Sequence, residues 1–264
     1  MRFRKFIKQL IYGLLYLTII VGIVYLFYAS ALKSAPSCFD NKLNQDEEEV
    51  DCGGSCETCA IRHLKAIEYS REALIDSPID GESILIFQLE NPNPHFGAKA
   101  FNYTANFYPD NSTSSPALYQ FSATSFIYPE ELKTIIYPGV KIDRGEVERI
   151  EIFLSDINWA PREEYNRPKT LIRSVETEIR DEGTLRPRLA ITGIFRNDNA
   201  YVLSKVELSV QLSGQLGEII IASKTLLGSV PAFSDKEFEL IIPLRPNQVL
   251  DLDNKPRITV EAQR

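Results

Sequence analysis

The sequence predicts an all-β protein: two tandem antiparallel sandwiches behind a single N-terminal transmembrane helix. Three observations carry that reading. One uncharged apolar run opens the chain, apolar and polar residues alternate with period two beyond residue 60, and the alternating segments occur twice at a near-constant offset. Composition agrees. With 264 residues, 44% hydrophobic and 25% charged, the chain is neither wholly disordered nor a polytopic membrane protein, and 13 Gly and 15 Pro are too few for a collagen-like chain.

The first element is the apolar run over 10–31, LIYGLLYLTIIVGIVYLFYASA. Its 22 uncharged residues suffice to cross a bilayer core of about 30 Å as a helix. Arg2, Arg4, Lys5 and Lys8 precede it, and only Lys33 follows closely. That asymmetry places residues 1–9 in the cytoplasm and everything after the span outside, a single-pass protein of the cell membrane. Tyr12, Tyr16, Tyr25 and Tyr28 suit the membrane interfaces. Ala29-Ser30-Ala31 resembles a signal-peptidase site, but the run exceeds the roughly 7–15 residues of a secretory core, so the expectation is a retained anchor. Of the 29 basic residues four lie before the span, while all 36 acidic ones follow it, leaving the remainder at 25 against 36, a net −11. Such a surface disfavours nucleic acid and anionic lipid headgroups as partners.

The second element, 32–60, holds all four cysteines: Cys38, Cys52, Cys56 and Cys59. Outside the cytoplasm an even, clustered set reads as two disulfides, with three connectivities open. In a reducing compartment Cys52, Cys56, Cys59 and His63 would instead form a zinc set. With only Phe39, Leu43 and Val50 as apolar residues, the segment needs covalent staples to hold a fold. No cofactor is expected, with calcium as the alternative: Asp40, Asn44, Asp46, Glu47 and Asp51 are crowded hard-oxygen groups, candidate ligands for that ion. The alternative is an acidic, solvated spacer; the spacing is not that of an EF-hand. The segment resembles a Cys-rich module of bacterial and archaeal surface proteins, C-x-D-G-x2-N-x2-E-x-G-V-D-C-G-G-x-C-x2-C. Cys38, Asp40, Asn44, Glu47, Val50, Asp51, Cys52, Gly53, Gly54, Cys56 and Cys59 match it, and Asn41 and Glu49 stand where it has glycine.

The third element is the repeat. Leu89–Asn93 falls on Phe195–Asn199 at an offset of 106. The alternating strand Phe101-Tyr103-Ala105-Phe107 answers Val206-Leu208-Val210-Leu212 once a one-residue gap is allowed. Val147–Leu154 and Phe238–Ile242 are read as the matching last strands. The expected organisation is a first sandwich over 61–160, a linker over 161–169 and a second sandwich over 170–264. Pro161, Arg162, Glu163, Glu164 and Pro168 make the linker look stiff enough to hold the two apart, with Trp159 capping the junction. The second unit resembles the FxLYD module, although Ser213-Gly214 replaces that family's aspartate. The first, with its Asn91-Pro92-Asn93, is similar to LEA14-like domains. These resemblances imply fibronectin-III-like sandwiches in an extracytoplasmic setting and bring no catalytic residues.

Nothing in the sequence points to catalysis. No Gly-x-Ser-x-Gly, P-loop or His-Glu-x-x-His pattern occurs, and His63 and His95 read as surface residues. The aromatics of the first unit, Tyr103, Phe107, Tyr108, Tyr119, Phe121, Phe126, Tyr128 and Tyr137, read as core before binding platform. Asn102-Tyr-Thr104 and Asn111-Ser-Thr113 are sequons. The expected function is non-enzymatic, protein binding or spacing in the cell envelope. The alternatives are an accessory subunit of a secretion, pilus or division complex, and a calcium-dependent adhesin or sensor.

Overall fold

The structure is a computed structural model that describes residues 2–28, 37–44, 46–214, 217–245, 250 and 255–264, with side chains described from residue 7 onward. Helix α1 (Arg2–Phe27) contains the stretch Ile7–Phe27, whose mean hydropathy of 2.4 and length are those of a membrane-crossing helix or a signal sequence. Ala29-Ser30-Ala31 and Lys33 lie outside the described residues. The chain divides into two compact units, Met1–Leu64 and Lys65–Arg264.

Among the described residues the second unit has twelve strands: β1 (Glu68–Asp76), β2 (Ser83–Glu90), β3 (Phe96–Tyr108), β4 (Tyr119–Ile127), β5 (Leu132–Val140), β6 (Arg149–Pro161), β7 (Thr170–Arg180), β8 (Arg188–Asn197), β9 (Leu203–Ser213), β10 (Ile219–Val230), β11 (Asp235–Pro243) and β12 (Arg257–Gln263). They form four antiparallel sheets ordered β1-β2-β5, β4-β3-β6, β11-β8-β7 and β10-β9-β12. The first two enclose one core around Leu85, Phe87, Leu89, Phe101, Phe107 and Ile152. The last two enclose another, from Leu189, Ile191, Val210, Leu212 and Leu240 to Phe195, Leu208 and Phe238. The all-β sandwich pair is thus what the chain forms.

Strand order makes the repeat explicit, because β1 to β6 and β7 to β12 are wired identically. The counterpart of Phe238–Ile242, in β11, is therefore β5, and the partner of Val147–Leu154, in β6, is β12; the expected match of last strands is corrected. Sequence alternation misled because β5 reads Thr134-Ile135-Ile136-Tyr137, a run without alternation. The one-residue gap has a physical seat in the register shifts of β3 between Ala98 and Asn102.

The same consecutive pattern corrects the stiff linker. Leu85, Phe87 and Leu89 of β2 point into the first core, while Ile84 and Ile86, together with Ile136 of β5, pack on Ala222 and Ile219 of β10. A strand covered on both faces reads as an unbroken apolar run, as Ile84-Leu85-Ile86-Phe87 does. Polar contacts reinforce this junction. Lys133 of β5, its side chain 3% exposed, meets Glu261 of β12 at 2.8 Å, donates to Phe126 O at 2.8 Å and lies 3.6 Å over the Phe126 ring. Tyr128 Oη donates to Ala262 O at 2.5 Å, and Arg245 Nη2 donates to Ser77 O at 2.9 Å. The linker is itself pinned: Arg162 N donates to His95 O, and Tyr165 stacks on Tyr128 at 4.7 Å. Trp159 packs on the first core instead of capping the junction.

Two predictions follow from the junction. Lys133→Ala strands Glu261 in a half-closed site and is expected to cost about 3 kcal/mol, whereas Lys133→Met combined with Glu261→Leu recovers most of that loss; urea denaturation of the four members of the cycle measures it. The second concerns pH. Burial pushes the Tyr165 phenol from 10.0 up to about 12, and the Tyr128 and Tyr103 phenols also lie well above their ordinary value for the same reason. Below pH 10 these phenols are protonated in both states and contribute no slope. Above it the unfolded chain binds fewer protons than the folded one, so stability falls as pH rises from 10 toward 12. Urea midpoints taken on either side of pH 10 are expected to show a plateau and then a decline.

Candidate functional site

In the first unit the cysteines pair as Cys38–Cys56 and Cys52–Cys59, and all four are consumed. The zinc alternative is thereby overturned: a disulfide sulfur has no thiolate to offer, and His63 is exposed, 3.9 Å from Glu49. Glu49, Cys52 and Cys59 lie close together, but both sulfurs are bonded.

The acidic residues are gathered largely as hydrogen-bond acceptors for the module itself. Asp51 Oδ1 accepts from Asp40 N at 2.9 Å and Asn41 N at 3.1 Å. Asp40 accepts from Lys42 N and the Asn44 amide, and Glu47 Oε2 accepts from Asn44 N at 3.0 Å. Asp46 stands apart, accepting from Ser55 Oγ at 2.8 Å, a bond that lowers its pKa. Asn41 adopts φ 57°, the left-handed conformation that glycine supplies in the related pattern, and asparagine tolerates it. Glu49 is not among the residues with positive φ, so its replacement of glycine is harmless. Gly54 has a different reason: at φ 58° a Cβ would collide with the Asp46 carbonyl.

In the second unit a cleft of about 1370 Å³ lies at the sandwich junction. The first sandwich contributes β1 from Glu72 to Asp76 and the start of β6 with the short 3-10 helix Arg144–Glu146 before it; the second contributes the starts of β10 and the end of β11. All four strands are sheet edges. The floor is apolar, with Leu74, Ile75, Ile84, Ile219, Ile221 and Ile242, and the rim is charged, with Glu72 and Glu148 beside Arg144. Arg245 on the rim pairs with Asp76 at 3.5 Å. A concave apolar floor ringed by mixed charge is suited to recognition.

The sequence had not singled out the cleft, because it exists only once the sandwiches are fused. Its trace was the apolar Ile84–Phe87 and Ile219–Ile221 runs. The aromatics of the first unit are placed as core: Tyr103, Phe107 and Tyr128 are buried, and Tyr119, Phe121 and Tyr137 pack against that core. Tyr108 lies under Arg149 at 3.8 Å and Phe126 under Lys133, so no aromatic platform forms from them. His95 is exposed in the turn before β3. Asn102 is held in β3 by Asp156 and Thr124, while Asn111 is exposed in the loop after β3 and lines the cleft.

The asparagines behind the Asn91-Pro92-Asn93 and Asn197-Asp198-Asn199 match are structural. Asn197, fully buried, donates from Nδ2 to Tyr201 O, Val230 O and Pro231 O and accepts at Oδ1 from Asn199 N and Nδ2. Asn91 does the same with Phe96 O, Tyr128 O and Asn93. Asn93 and Asn199 then clasp the backbones of Lys65 and Lys169, the residues leading into β1 and β7.

No protein-family model and no curated protein matches the chain. Among solved structures, red sea bream transglutaminase is similar at 11% identity and a TM-score of 0.24, over 78% of this chain and 32% of that one. The chain thus spans about a third of the transglutaminase's length, and the likeness carries no inference about activity. What the described residues define is a protein with one membrane-crossing or signal-type helix, a disulfide-stapled module and two fused β-sandwiches.

Proposed function

We propose that this is a non-enzymatic, membrane-anchored, extracytoplasmic protein whose fused sandwiches hold a preformed cleft for a protein partner in the cell envelope. The observation that carries this reading is the cleft itself. Its walls come from both sandwiches, whose relative placement is fixed by an apolar junction and by the Lys133–Glu261 and Arg245–Asp76 pairs. Two disulfides in the first unit suit an oxidising compartment, and the basic flank before the helix suits a cytoplasmic N-terminus. The resemblances to FxLYD and LEA14-like modules support the same setting.

The test is site-specific photo-crosslinking in the native cell, with the photoreactive residue at Glu72 or Glu148 on the cleft rim and at Glu178 on the far sheet as control. One discrete adduct from the rim positions and none from Glu178 is the expected result. Equal, diffuse labelling from all three would leave only a spacer. Retention of the adduct after the helix is exchanged for an unrelated span would assign recognition to the sandwiches, and its loss would favour recruitment through the helix.

A further inference from the structure

Each sandwich has two outward sheet faces, and the four differ in kind. The outer faces of β1-β2-β5 and β10-β9-β12 are turned to each other and form the junction. The outer face of β11-β8-β7 is an ionic lattice in which Arg196 pairs with Asp198 and Asp235, Arg173 with Asp235, and Arg180 with Glu239. That is an ordinary solvated surface for a chain with 25% charged residues. The outer face of β4-β3-β6 is built otherwise. Its successive cross-strand rows are Thr124–Asn102–Ser155, Ser122–Thr104–Phe153 and Gln120–Asn106–Glu151.

Amides and hydroxyls therefore occupy seven of these nine positions, Glu151 stands at the end of the last row, and Phe153, 54% exposed, stands in the middle row. The two carboxylates at its margin are engaged within the face: Asp156 accepts from Asn102 Nδ2 at 2.9 Å and Ser155 Oγ at 3.1 Å, and Glu151 is held by Arg149 and Tyr108. Thr104 Oγ1 and Ser122 Oγ lie 2.8 Å apart, and Thr124 Oγ1 donates to Asn102 Oδ1 at 3.0 Å. The polar groups are thus oriented before any ligand arrives, and each hydroxyl keeps a lone pair free.

We propose that this face binds a neutral polysaccharide. Side chains that both donate and accept match sugar hydroxyls, which do the same, whereas a polyanion would meet the Asp156 carboxylate, held here by neutral donors alone. An extended sheet suits a flat chain of pyranose rings, and Phe153 offers a surface for their C–H faces. None of the residues in these rows lines the cleft, so each binding can be tested by its own variants.

The full chain, held in a zwitterionic detergent because sugar-headed detergents would compete, is run in native gels containing dextran, a soluble β-glucan or a galactomannan, with polygalacturonate as the charged counterpart. Retardation by at least one neutral polysaccharide is expected. Phe153→Ala should weaken it by about fivefold or more, as removal of a contact aromatic does. The double variant Thr104→Val with Thr124→Val keeps strand propensity and removes two hydroxyls, and should weaken it similarly. Arg180→Ala, on the ionic face, should leave it unchanged. No retardation in any neutral gel, retardation by polygalacturonate alone, or retardation indifferent to both face variants would overturn the proposal.

Discussion

Replacing Asn197 by leucine is expected to destabilise the sandwich unit by about 3–5 kcal/mol, on the order of 10 °C in Tm for a unit of this size. The side chain is fully buried and joins three segments: the end of β8, the turn at Tyr201 and the Val230-Pro231 corner between the two sheets. Leucine fills a similar volume but leaves Tyr201 O, Val230 O and the Asn199 amide without this partner, each costing roughly 1–3 kcal/mol when shut away from water, while Pro231 O keeps the Ser234 hydroxyl. Asn197→Asp is expected to be as damaging, because a carboxylate would face those carbonyl oxygens with no N–H to give. Asn91→Leu should behave alike in the first copy. Urea denaturation of the full chain in detergent reads all three. A loss below about 1 kcal/mol would mean that water or a shifted backbone takes over these bonds, and the asparagine pair would no longer explain why the match at offset 106 is centred there.

That pair shows what the sequence carries and what it does not. Asparagines at fixed offset, each followed two residues on by another, were visible as a repeat and a turn signal, since residue identity alone suffices for them. The period-two alternation of Val206 to Leu212 likewise marked β9 and its core face, but the expected wet face is not wet: Ser209 and Gln211 are buried as well. The helix and the paired state of the cysteines were legible too, one from hydropathy and length, the other from clustering. What stayed hidden were facts of long-range pairing. β5 escaped its match to β11 because Ile135 and Ile136 face opposite sides, and both sides are covered. The junction was obscured for the same reason, and with it the cleft. Pro161 to Pro168 suggested separation because a linker's composition says nothing about the surfaces it joins. For the acidic residues of the cysteine module, the sequence showed the oxygens but not that Asp51, Asp40 and Glu47 already accept hydrogen bonds from neighbouring backbone amides.

The module's dependence on its disulfides gives the other large expected effect. Reduction should erase protected structure between residues 37 and 64 while leaving the sandwiches at Lys65–Arg264 as they were. The closed loops span sequence separations of 18 and 7, and on the loop-entropy account each bond contributes about 3 and about 2 kcal/mol. Against this the module has little else. Phe39 is 92% exposed and Leu43 62%, and Cys52 and Cys59 are themselves its buried apolar residues. Its remaining order rests on short bonds such as Cys52 N to Glu49 O and on Arg62 donating to Val50 O and Asp51 O, which cannot offset the chain entropy of some twenty residues. Hydrogen–deuterium exchange with and without reductant is the measurement. Full exchange of 37–64 on reduction, with protection of β2, β3, β8 and β9 unchanged, is the expected pattern. Protection that survives reduction would require another cross-link, and the acidic oxygens of Asp40, Asn44, Asp46, Glu47 and Asp51 would then be the group to examine, by repeating the reduced measurement with calcium and with a chelator.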